Sequence, residues 1–216
     1  MMKEGVLMQT ELHIALPKGN QSVSHLFRQA GYPLPCDLEE SRNYIISLPN
    51  MDMSFILAKA IDIPTYVAYG VADAGIVGKE VLLENPRNVY ELLDLTITKS
   101  TLAVLGNPGA AQVNPRVATP YPRIASQYYR NKGQQAKIIP LNGSLELALA
   151  ADLADCIVDI PNWYVGVDSN ELVVLDTIQR VSCRLIANRA SYTLYNEQIL
   201  TLCERLSVVS QSRLPQ

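Results

Sequence analysis

The sequence predicts an α/β fold made of two lobes with a cleft between them. Apolar segments of strand length alternate with amphipathic helical segments along most of the 216 residues, which is typical of α/β proteins with largely parallel sheets. The segments form two blocks that separate near the loop Gly106-Asn-Pro-Gly109. Small-molecule sites tend to lie between such lobes. We expect lobe I to hold residues 1–104 and 181–216, and lobe II to hold residues 105–180.

Composition argues against several classes of protein. Apolar residues make up 48% and charged residues 18% of the chain, so a packed core is expected rather than disorder. The net charge is −3 and no run of Lys or Arg forms a stripe, which argues against nucleic acid as a partner. With no signal peptide pattern and no long apolar span, we expect a soluble, cytoplasmic chain with no membrane partner. The four cysteines lack C-x-x-C spacing, which indicates free thiols rather than a zinc site: Cys36, Cys156, Cys183 and Cys203.

The first block opens with a buried strand over Leu12–Leu16, which the turn Pro17-Lys18-Gly19 ends. Apolar residues then recur at helical spacing from Ser22 to Ala30, with Asn20 as the expected N-cap and Gly31 as the stop. Such a Lys-Gly turn at the start of a helix offers backbone N–H groups and one full positive charge to an anion. The alternative is a capped helix with an exposed lysine.

The rest of the first block continues the alternation of strands and helices. Its predicted strands are Tyr44–Leu48, Ala72–Val77, Val89–Leu95 and Thr101–Leu105, and its predicted helices are Met53–Ile61, a segment starting at Asp62-Ile-Pro-Thr-Tyr66, and Lys79–Glu84. Asp62 is expected near the N-cap of its helix because Pro64 suits the first turn.

The second block predicts a βαβαβ unit of its own. Its strands are Arg116–Ala118, Ala136–Leu141 and Cys156–Asp159, and its helices are Pro122–Asn131 and Ser144–Ala151, the latter with Ser144 as the N-cap. Extended segments follow at Leu172–Leu175 and Arg184–Ala187. A last helix places Tyr195, Ile199, Leu202, Leu206 and Val209 on one face.

Two places in the second block could carry chemistry. Gly143 and Ser144 lie between a strand and a helix, where backbone N–H groups favour an anion. Glu146 in the first turn either complements the helix dipole or holds a sugar hydroxyl or a metal-bound water. Asp159 ends an apolar strand and precedes a loop, which is how open α/β sheets build ligand sites. The alternative for Asp159 is an ordinary solvated strand end.

Several common enzyme motifs are absent. The chain has no P-loop, no Gly-x-Gly-x-x-Gly fingerprint and no Gly-x-Ser-x-Gly elbow, so kinase, dehydrogenase and hydrolase functions lack support. Two anion-binding turns and a strand-end acid would together suit a phosphorylated sugar.

Five blocks of residues carry a family resemblance, in the family's order and spacing. They are Ile14-Ala-Leu-Pro-Lys-Gly19, Ser41-Arg42, Asp62–Lys79 running on to Val89–Leu95, Leu141–Leu147 with Leu153–Ile160, and Arg184–Ser191. In these blocks the chain resembles the short form of ATP phosphoribosyltransferase, the first enzyme of histidine biosynthesis. The short form lacks the C-terminal domain that binds histidine in the long form.

The resemblance implies a fold of two α/β lobes like a type II periplasmic binding protein. It also implies a glycosyltransferase (pentosyltransferase) reaction, in which N1 of ATP attacks the anomeric carbon of phosphoribosyl pyrophosphate and Mg²⁺-pyrophosphate leaves. The implied partners are further copies of the chain and a regulatory subunit resembling histidyl-tRNA synthetase. Mg²⁺ is expected to arrive with the pyrophosphate substrate, with no residues of the chain assigned as metal ligands.

The resemblance also assigns roles to individual residues. Lys18 and Arg42 are the expected catalytic residues, with Arg42 at a position that would stabilise the leaving group. The expected substrate-binding residues are Gly19, Asn20, Lys59, Asp62, Thr65, Gly143, Ser144, Glu146, Asp159, Asn162, Trp163, Tyr164 and Gly166.

Three anion-binding elements depart from the family's pattern. The family's Thr-Gly-x-Thr loop, which wraps the 5′-phosphate, is Trp163-Tyr-Val-Gly166 here, and two family arginines are Asn20 and Lys59. Each lost phosphate contact is worth about 1.5–3 kcal/mol. Two hypotheses follow: an enzyme active with its regulatory subunit, or a catalytically impaired relative that binds a nucleotide or another small anion or serves as an assembly subunit. A solute-binding module is a third, resting on the two-lobe architecture alone.

Overall fold

The structure is a computed structural model that describes residues 11–35, 43–109, 113–161 and 172–211. The chain divides into two compact units. Unit 1 comprises Met1–Gly78, Arg87–Ile97 and Cys183–Gln216, and unit 2 comprises Lys79–Pro86 and Thr98–Ser182. Within the described ranges, no helix is long and apolar enough to span a bilayer.

Strands and helices alternate along the described chain. The strands are β1 Leu12–Pro17, β2 Ile45–Leu48, β3 Met53–Ala58, β4 Ala74–Gly78, β5 Val89–Asp94, β6 Ser100–Gly106, β7 Arg116–Thr119, β8 Lys137–Pro140, β9 Cys156–Asp159, β10 Val173–Val181 and β11 Cys183–Asn188. The helices are α1 Gln21–Gln29, α2 Ile63–Ala68, α3 Lys79–Glu84, α4 Pro122–Asn131, α5 Leu145–Ala150, α6 Arg189–Leu194 and α7 Asn196–Gln211.

Unit 1 is built on a six-stranded mixed sheet in the order β2-β3-β1-β4-β11-β5. The three strands β3, β1 and β4 are parallel to one another, whereas β2, β11 and β5 run antiparallel to their neighbours. Side chains of α1 and α7 pack on this sheet through Leu26, Phe27, Leu202 and Leu206, all of them buried. The expectation of largely parallel sheets was therefore wrong for this unit.

Unit 2 has a five-stranded sheet in the order β10-β6-β9-β7-β8. Strands β7, β8 and β9 are parallel and connected through α4 and α5, so the predicted βαβαβ unit is confirmed. Strand residues alternate between the two faces. Leu102 and Val104 pack in the cluster that contains α4, whereas Ala103 and Leu105 pack in the cluster that contains α5. Strands β6 and β10 are antiparallel to their neighbours.

Two local predictions were wrong. Met53–Ile61 was expected as a helix, but Met53–Ala58 is strand β3, paired with β1 along all six residues. Ser54 is buried and its hydroxyl lies 2.5 Å from Nδ1 of His13, so a polar residue in a buried strand hid the strand pattern. The expected lobe boundary at residues 104 and 105 falls inside β6, whose partners belong to unit 2.

Helix starts were predicted with more success. Oδ1 of Asn20 accepts a hydrogen bond from the Val23 N–H at 3.1 Å, so the predicted N-cap of α1 is confirmed. Ser144 occupies the N-cap position of α5, but its side chain makes no capping bond. The first turn of α4 is capped from outside, because buried Glu84 accepts hydrogen bonds from the N–H groups of Arg123 (2.9 Å) and Ile124 (3.0 Å).

Candidate functional site

In unit 1 the candidate site residues lie where two parallel strands end. Strands β1 and β3 pair in register up to Pro17 and Ala58, so Lys18 and Lys59 are the first residues beyond two adjacent strand ends. The Lys18 N–H donates to the Ala58 carbonyl at 2.9 Å, which fixes the two ends side by side. Ligands of open α/β sheets bind outside the carboxyl ends of the strands, and this edge presents two cations there.

The turn after Lys18 is tightly specified. Gly19 has φ +79°, a left-handed conformation that costs a residue with a side chain about 1 kcal/mol or more. The Asn20 N–H donates to the Pro17 carbonyl at 3.3 Å, and its side chain caps α1. Asn20 therefore has a local structural role in this chain.

Asp62 and Thr65 follow Lys59 along the chain. The Asp62 N–H donates to the Lys59 carbonyl at 2.9 Å, closing a single 3-10 turn before α2. The Asp62 side chain is exposed and makes no capping bond, and Thr65 is half-buried in α2. Backbone geometry thus places Asp62 one turn from Lys59. It lies beside the sheet edge that holds Lys18 and Lys59, which we call the lysine edge.

Neither Lys18 nor Lys59 forms an ion pair with any residue in the described ranges. Lys18 instead places its Nζ 4.9 Å from the ring centroid of Tyr44, whose side chain is 66% exposed. Two lysines at neighbouring strand ends, neither of them ion-paired within the described ranges, form an edge suited to a polyanion such as a diphosphate. Sequence reasoning did not single out Tyr44, because no motif marks it.

In unit 2 a second set of candidate residues lies at the carboxyl ends of β7 and β9. Asp159 is the last residue of β9 and half-buried, beside Ala103 of β6. Thr119 ends β7 and is fully buried. Its Oγ1 donates to the Val158 carbonyl at 2.7 Å and accepts from the Tyr121 N–H at 2.9 Å. Thr119 therefore links the ends of β7 and β9 and restrains the backbone next to Asp159.

Acidic and phenolic groups surround Asp159. Burial raises the pKa of Glu80 in the first turn of α3, and the negative charge of Asp159 raises it further. The pKa of Tyr121 is raised by burial and then by the charges of Glu80, Asp159 and Glu84. The Tyr121 phenol therefore stays protonated at neutral pH. This edge of unit 2 is thus acidic and hydroxyl-rich, which suits sugar hydroxyls.

Gly143 and Ser144 follow the end of β8 and are exposed, and Glu146 is half-buried in the first turn of α5. A Cβ at Gly143 would meet no heavy atom within 4 Å, and its φ lies outside the left-handed region. The fold itself therefore does not require glycine at 143. An open cavity of about 320 Å³ adjoins these residues, lined by Leu141, Asn142, Gly143, Ser144, Leu147, Ala148, Ala151 and Leu153.

The structure brings the predicted residues together in two groups, one in each unit. Lys18, Gly19, Asn20, Lys59, Asp62 and Thr65 lie in unit 1, and Gly143, Ser144, Glu146 and Asp159 lie in unit 2. Arg42, Asn162, Trp163, Tyr164 and Gly166 lie outside the described residues. Sequence reasoning missed Tyr44, Glu80, Thr119 and Tyr121, although Thr119 is the last residue of its strand, as Asp159 is, and Glu80 lies two residues beyond the end of β4.

These features define a class: an α/β protein of two units, each with polar residues at the carboxyl ends of adjacent parallel strands. Comparison with known proteins gives the family. The ATP phosphoribosyltransferase family model matches residues 59–208. The ATP phosphoribosyltransferase of Geobacillus kaustophilus is 51% identical over 202 residues, covering 92% of this chain and 98% of that protein. The chain belongs to the ATP phosphoribosyltransferase family.

Solved structures agree with this assignment. The "ATP phosphoribosyl transferase (HisG:HisZ) complex from Thermotoga maritima" superposes with a TM-score of 0.78 at 29% identity, covering 93% of this chain and 99% of that chain. The periplasmic aliphatic sulphonate binding protein of Escherichia coli matches with a TM-score of 0.60 at 13% identity, covering 93% and 72%, and shows similarity of fold alone. The predicted family and the predicted α/β fold are both confirmed.

Proposed function

We propose that this chain is an ATP phosphoribosyltransferase, which joins N1 of ATP to the ribose C1 of phosphoribosyl pyrophosphate and releases pyrophosphate. This is the first step of histidine biosynthesis. The observation that carries the proposal is the 51% identity to a named ATP phosphoribosyltransferase along 98% of that protein. The lysine edge of unit 1 and the acidic edge of unit 2 support it with the kinds of groups that the substrates need.

The reaction needs charge stabilisation more than proton transfer. The N1 lone pair forms the new bond to C1 while the bond from C1 to the pyrophosphate oxygen breaks, and the bond electrons leave with the pyrophosphate. Preorganised cations stabilise that developing charge. In unit 1, Lys18 and Lys59 lie at one sheet edge and form no ion pair with any residue that the structure describes. In unit 2, the role we propose for the Asp159 carboxylate is to accept hydrogen bonds from ribose hydroxyls. Correct alignment of the reacting atoms supplies much of the remaining acceleration.

Mg²⁺ enters this proposal as part of the substrate. Among the residues that the structure describes, no group of three or more His, Cys, Asp or Glu side chains could hold a metal ion. Diphosphate oxygens bind Mg²⁺ readily, and Mg²⁺ commonly keeps water and substrate oxygens as ligands. We propose that Mg²⁺ arrives bound to the diphosphate of phosphoribosyl pyrophosphate and partly neutralises its negative charge.

The proposed partners are a regulatory subunit resembling histidyl-tRNA synthetase and further copies of this chain, in the cytoplasm. The similar Thermotoga maritima protein was solved as a HisG:HisZ complex. Mixing this chain with such a subunit and measuring mass in solution would test the assembly. A mass equal to the separate chains would contradict it.

A rate assay tests the activity directly. Purified chain is mixed with ATP, phosphoribosyl pyrophosphate and Mg²⁺, with and without the regulatory subunit, and product formation is followed. We expect turnover that requires ATP, phosphoribosyl pyrophosphate and Mg²⁺. Gly143→Ala is the matched probe, because the protein has room for the added Cβ and a drop in activity would come from the substrate's close approach. An absence of product under every condition would refute the proposal.

The altered loop motivates a second candidate function, an impaired relative that binds a nucleotide or another small anion or serves as an assembly subunit. Trp163-Tyr-Val-Gly166 stands where the family has Thr-Gly-x-Thr. A thermal-shift titration with ATP, AMP and Mg²⁺-phosphoribosyl pyrophosphate separates the two functions. Stabilisation by phosphoribosyl pyrophosphate supports the enzyme, whereas stabilisation by ATP or AMP alone supports the impaired relative. The double change Trp163→Thr with Tyr164→Gly should then raise affinity for phosphoribosyl pyrophosphate.

A further inference from the structure

We propose that Tyr44 is a positioning residue that holds the Lys18 ammonium at the substrate edge of unit 1. The proposal rests on the proposed function, in which Lys18 acts on the departing pyrophosphate. It adds a residue that has no place among the family-derived site residues. The main evidence for this role is the cation–π contact between Lys18 and the exposed Tyr44 ring, with 4.9 Å from Nζ to the ring centroid.

Backbone pairing fixes both partners. The Leu57 N–H donates to the Tyr44 carbonyl at 2.8 Å, and Leu57 pairs with Leu16 across β3 and β1. Tyr44, Leu57 and Leu16 therefore form one row across three neighbouring strands. Lys18 lies in the turn two residues beyond Leu16, and its contact with the Tyr44 ring shows that its ammonium lies beside the end of that row.

The backbone on both sides of Lys18 is equally restrained. Its own N–H is bonded to Ala58, and the following turn is held by Gly19 and by the cap that Asn20 forms. The side chain is the part that remains free to rotate, and lysine has about 2 kcal/mol of rotamer entropy to lose. Within the described parts of the chain, the Lys18 ammonium makes its contact with the Tyr44 ring.

The arrangement suits a catalytic lysine better than an ion pair would. A carboxylate partner would neutralise Lys18 and compete with an anionic leaving group for its N–H donors. An aromatic face attracts the ammonium through the ring quadrupole and leaves all three N–H donors available. Tyr44 therefore preorganises a cation without lowering its charge.

Steady-state kinetics of the full chain with its regulatory subunit test this role. Replacing Tyr44 by Leu should lower kcat about two- to five-fold, the worth of one exposed cation–π contact, with little change in KM. The Tyr44→Phe variant keeps the aromatic face and should retain wild-type kcat. In a Lys18→Met background, Tyr44→Leu should have no further effect, because the two residues act as one unit.

A matched control exists in the same unit. Tyr90 on edge strand β5 makes a similar contact with Arg189, at 4.8 Å, at the opposite end of the sheet from β2. Tyr90→Leu should leave kcat unchanged. An unchanged kcat in Tyr44→Leu, a kcat loss in Tyr44→Phe equal to that in Tyr44→Leu, or a further loss in the Lys18→Met background would each overturn the proposal.

A binding measurement keeps this proposal separate from the proposed function. Inorganic pyrophosphate is titrated into wild type, Tyr44→Leu and Tyr90→Leu by calorimetry. We expect the Kd to rise about two- to five-fold in Tyr44→Leu alone. If the wild type binds pyrophosphate without turning over substrates, the proposed function fails, and the Kd comparison still decides the role of Tyr44. Equal Kd values in all three proteins would refute that role.

Discussion

Replacing Gly75 by alanine should destabilise unit 1 through overpacking beneath helix α2. A Cβ at this position in β4 would lie 2.8 Å from Cγ2 of Ile63, 3.0 Å from Cγ2 of Val67 and 3.2 Å from the Ala15 carbonyl oxygen. Ile63 and Val67 are fully buried, and β-branched side chains in a helix have one strongly preferred χ1. The crowding can therefore be relieved only by moving the helix away from the sheet.

The size of the effect follows from these contacts. Overpacking a buried site costs about 1–3 kcal/mol. The substitution also stabilises the protein by about 0.4–1 kcal/mol, because an unfolded chain has less backbone entropy with alanine than with glycine at this position. We expect a net loss of about 1–2 kcal/mol, which lowers Tm by about 2–8 °C in a chain of this size. Calorimetry gives the Tm, and hydrogen exchange of the α2 amides locates the change.

Gly106→Ala is the comparison variant. Its Cβ would lie 2.9 Å from Cδ1 of Leu175, the end of a half-buried side chain, and 3.4 Å from Cβ of Cys156. Because Leu175 can rotate, we expect a smaller Tm change than in Gly75→Ala. An unchanged Tm in Gly75→Ala, or an equal loss in Gly106→Ala, would refute the reasoning that the fixed side chains of α2 decide the cost.

Three further predictions concern single side chains. Asn20→Arg adds a positive charge at the start of α1 but removes the cap on Val23, so thermal unfolding should show a loss of about 1 kcal/mol of stability while phosphoribosyl pyrophosphate binds more tightly. Lys132, and then Tyr128, hold the pKa of Asp176 at about 2, below its ordinary 3.8. A depressed carboxyl pKa stabilises the protein above about pH 4 and loses that effect as pH falls towards 2, so the Tm difference between wild type and Asp176→Asn should vanish there. Glu84→Ala removes the acceptor of the buried Ile124 N–H and of the partly buried Arg123 N–H in α4, and should cost about 1–3 kcal/mol in urea unfolding.

Each of these predictions has a matched control. Asn20→Asp keeps the capping oxygen and should retain stability, so equal losses in the Asp and Arg variants would argue against the cap. For Asp176, a Tm difference that stays constant down to pH 2 would contradict the lowered pKa. For Glu84, hydrogen exchange at Arg123 and Ile124 should speed up in the variant, and unchanged exchange would show that the two amides have other acceptors.

Local signals in the sequence predicted the elements whose first and last residues are marked by Pro, Gly or a capping residue. Helix α4 has its predicted bounds because Pro122 suits the first turn and Gly133 adopts φ +66° beyond the end. Strand β9 also has its predicted bounds. Strand β3 was mistaken for a helix because it pairs along its whole length with β1, which is distant in sequence. Strands β10 and β11 were predicted as the shorter extended segments Leu172–Leu175 and Arg184–Ala187, but their antiparallel pairing was not predicted, since pairing direction leaves no local pattern.

The candidate site was predictable where a family motif marks it. Lys18, Lys59 and Asp159 do lie at strand ends in the structure. Tyr44, Glu80, Thr119 and Tyr121 were missed because their roles arise from neighbours in space: a cation over a ring, a raised carboxyl pKa, and a hydroxyl that joins two strand ends. No residue type at a fixed spacing encodes such relationships.

The place of β11 in its sheet sets the order in which the protein can be completed on the ribosome. Residues 183–188 form the strand between β4 and β5, and β5 has no other partner in the described sheet. Strand β10, the last strand of unit 2, precedes it in the chain. During synthesis the sheet of unit 2 can therefore form first. Strand β5 stays without its partner β11 until nearly 90 further residues, about the length of unit 2, have been synthesised. A chain that stalls after β10 would expose two open strand edges, which is the kind of surface that chaperones bind.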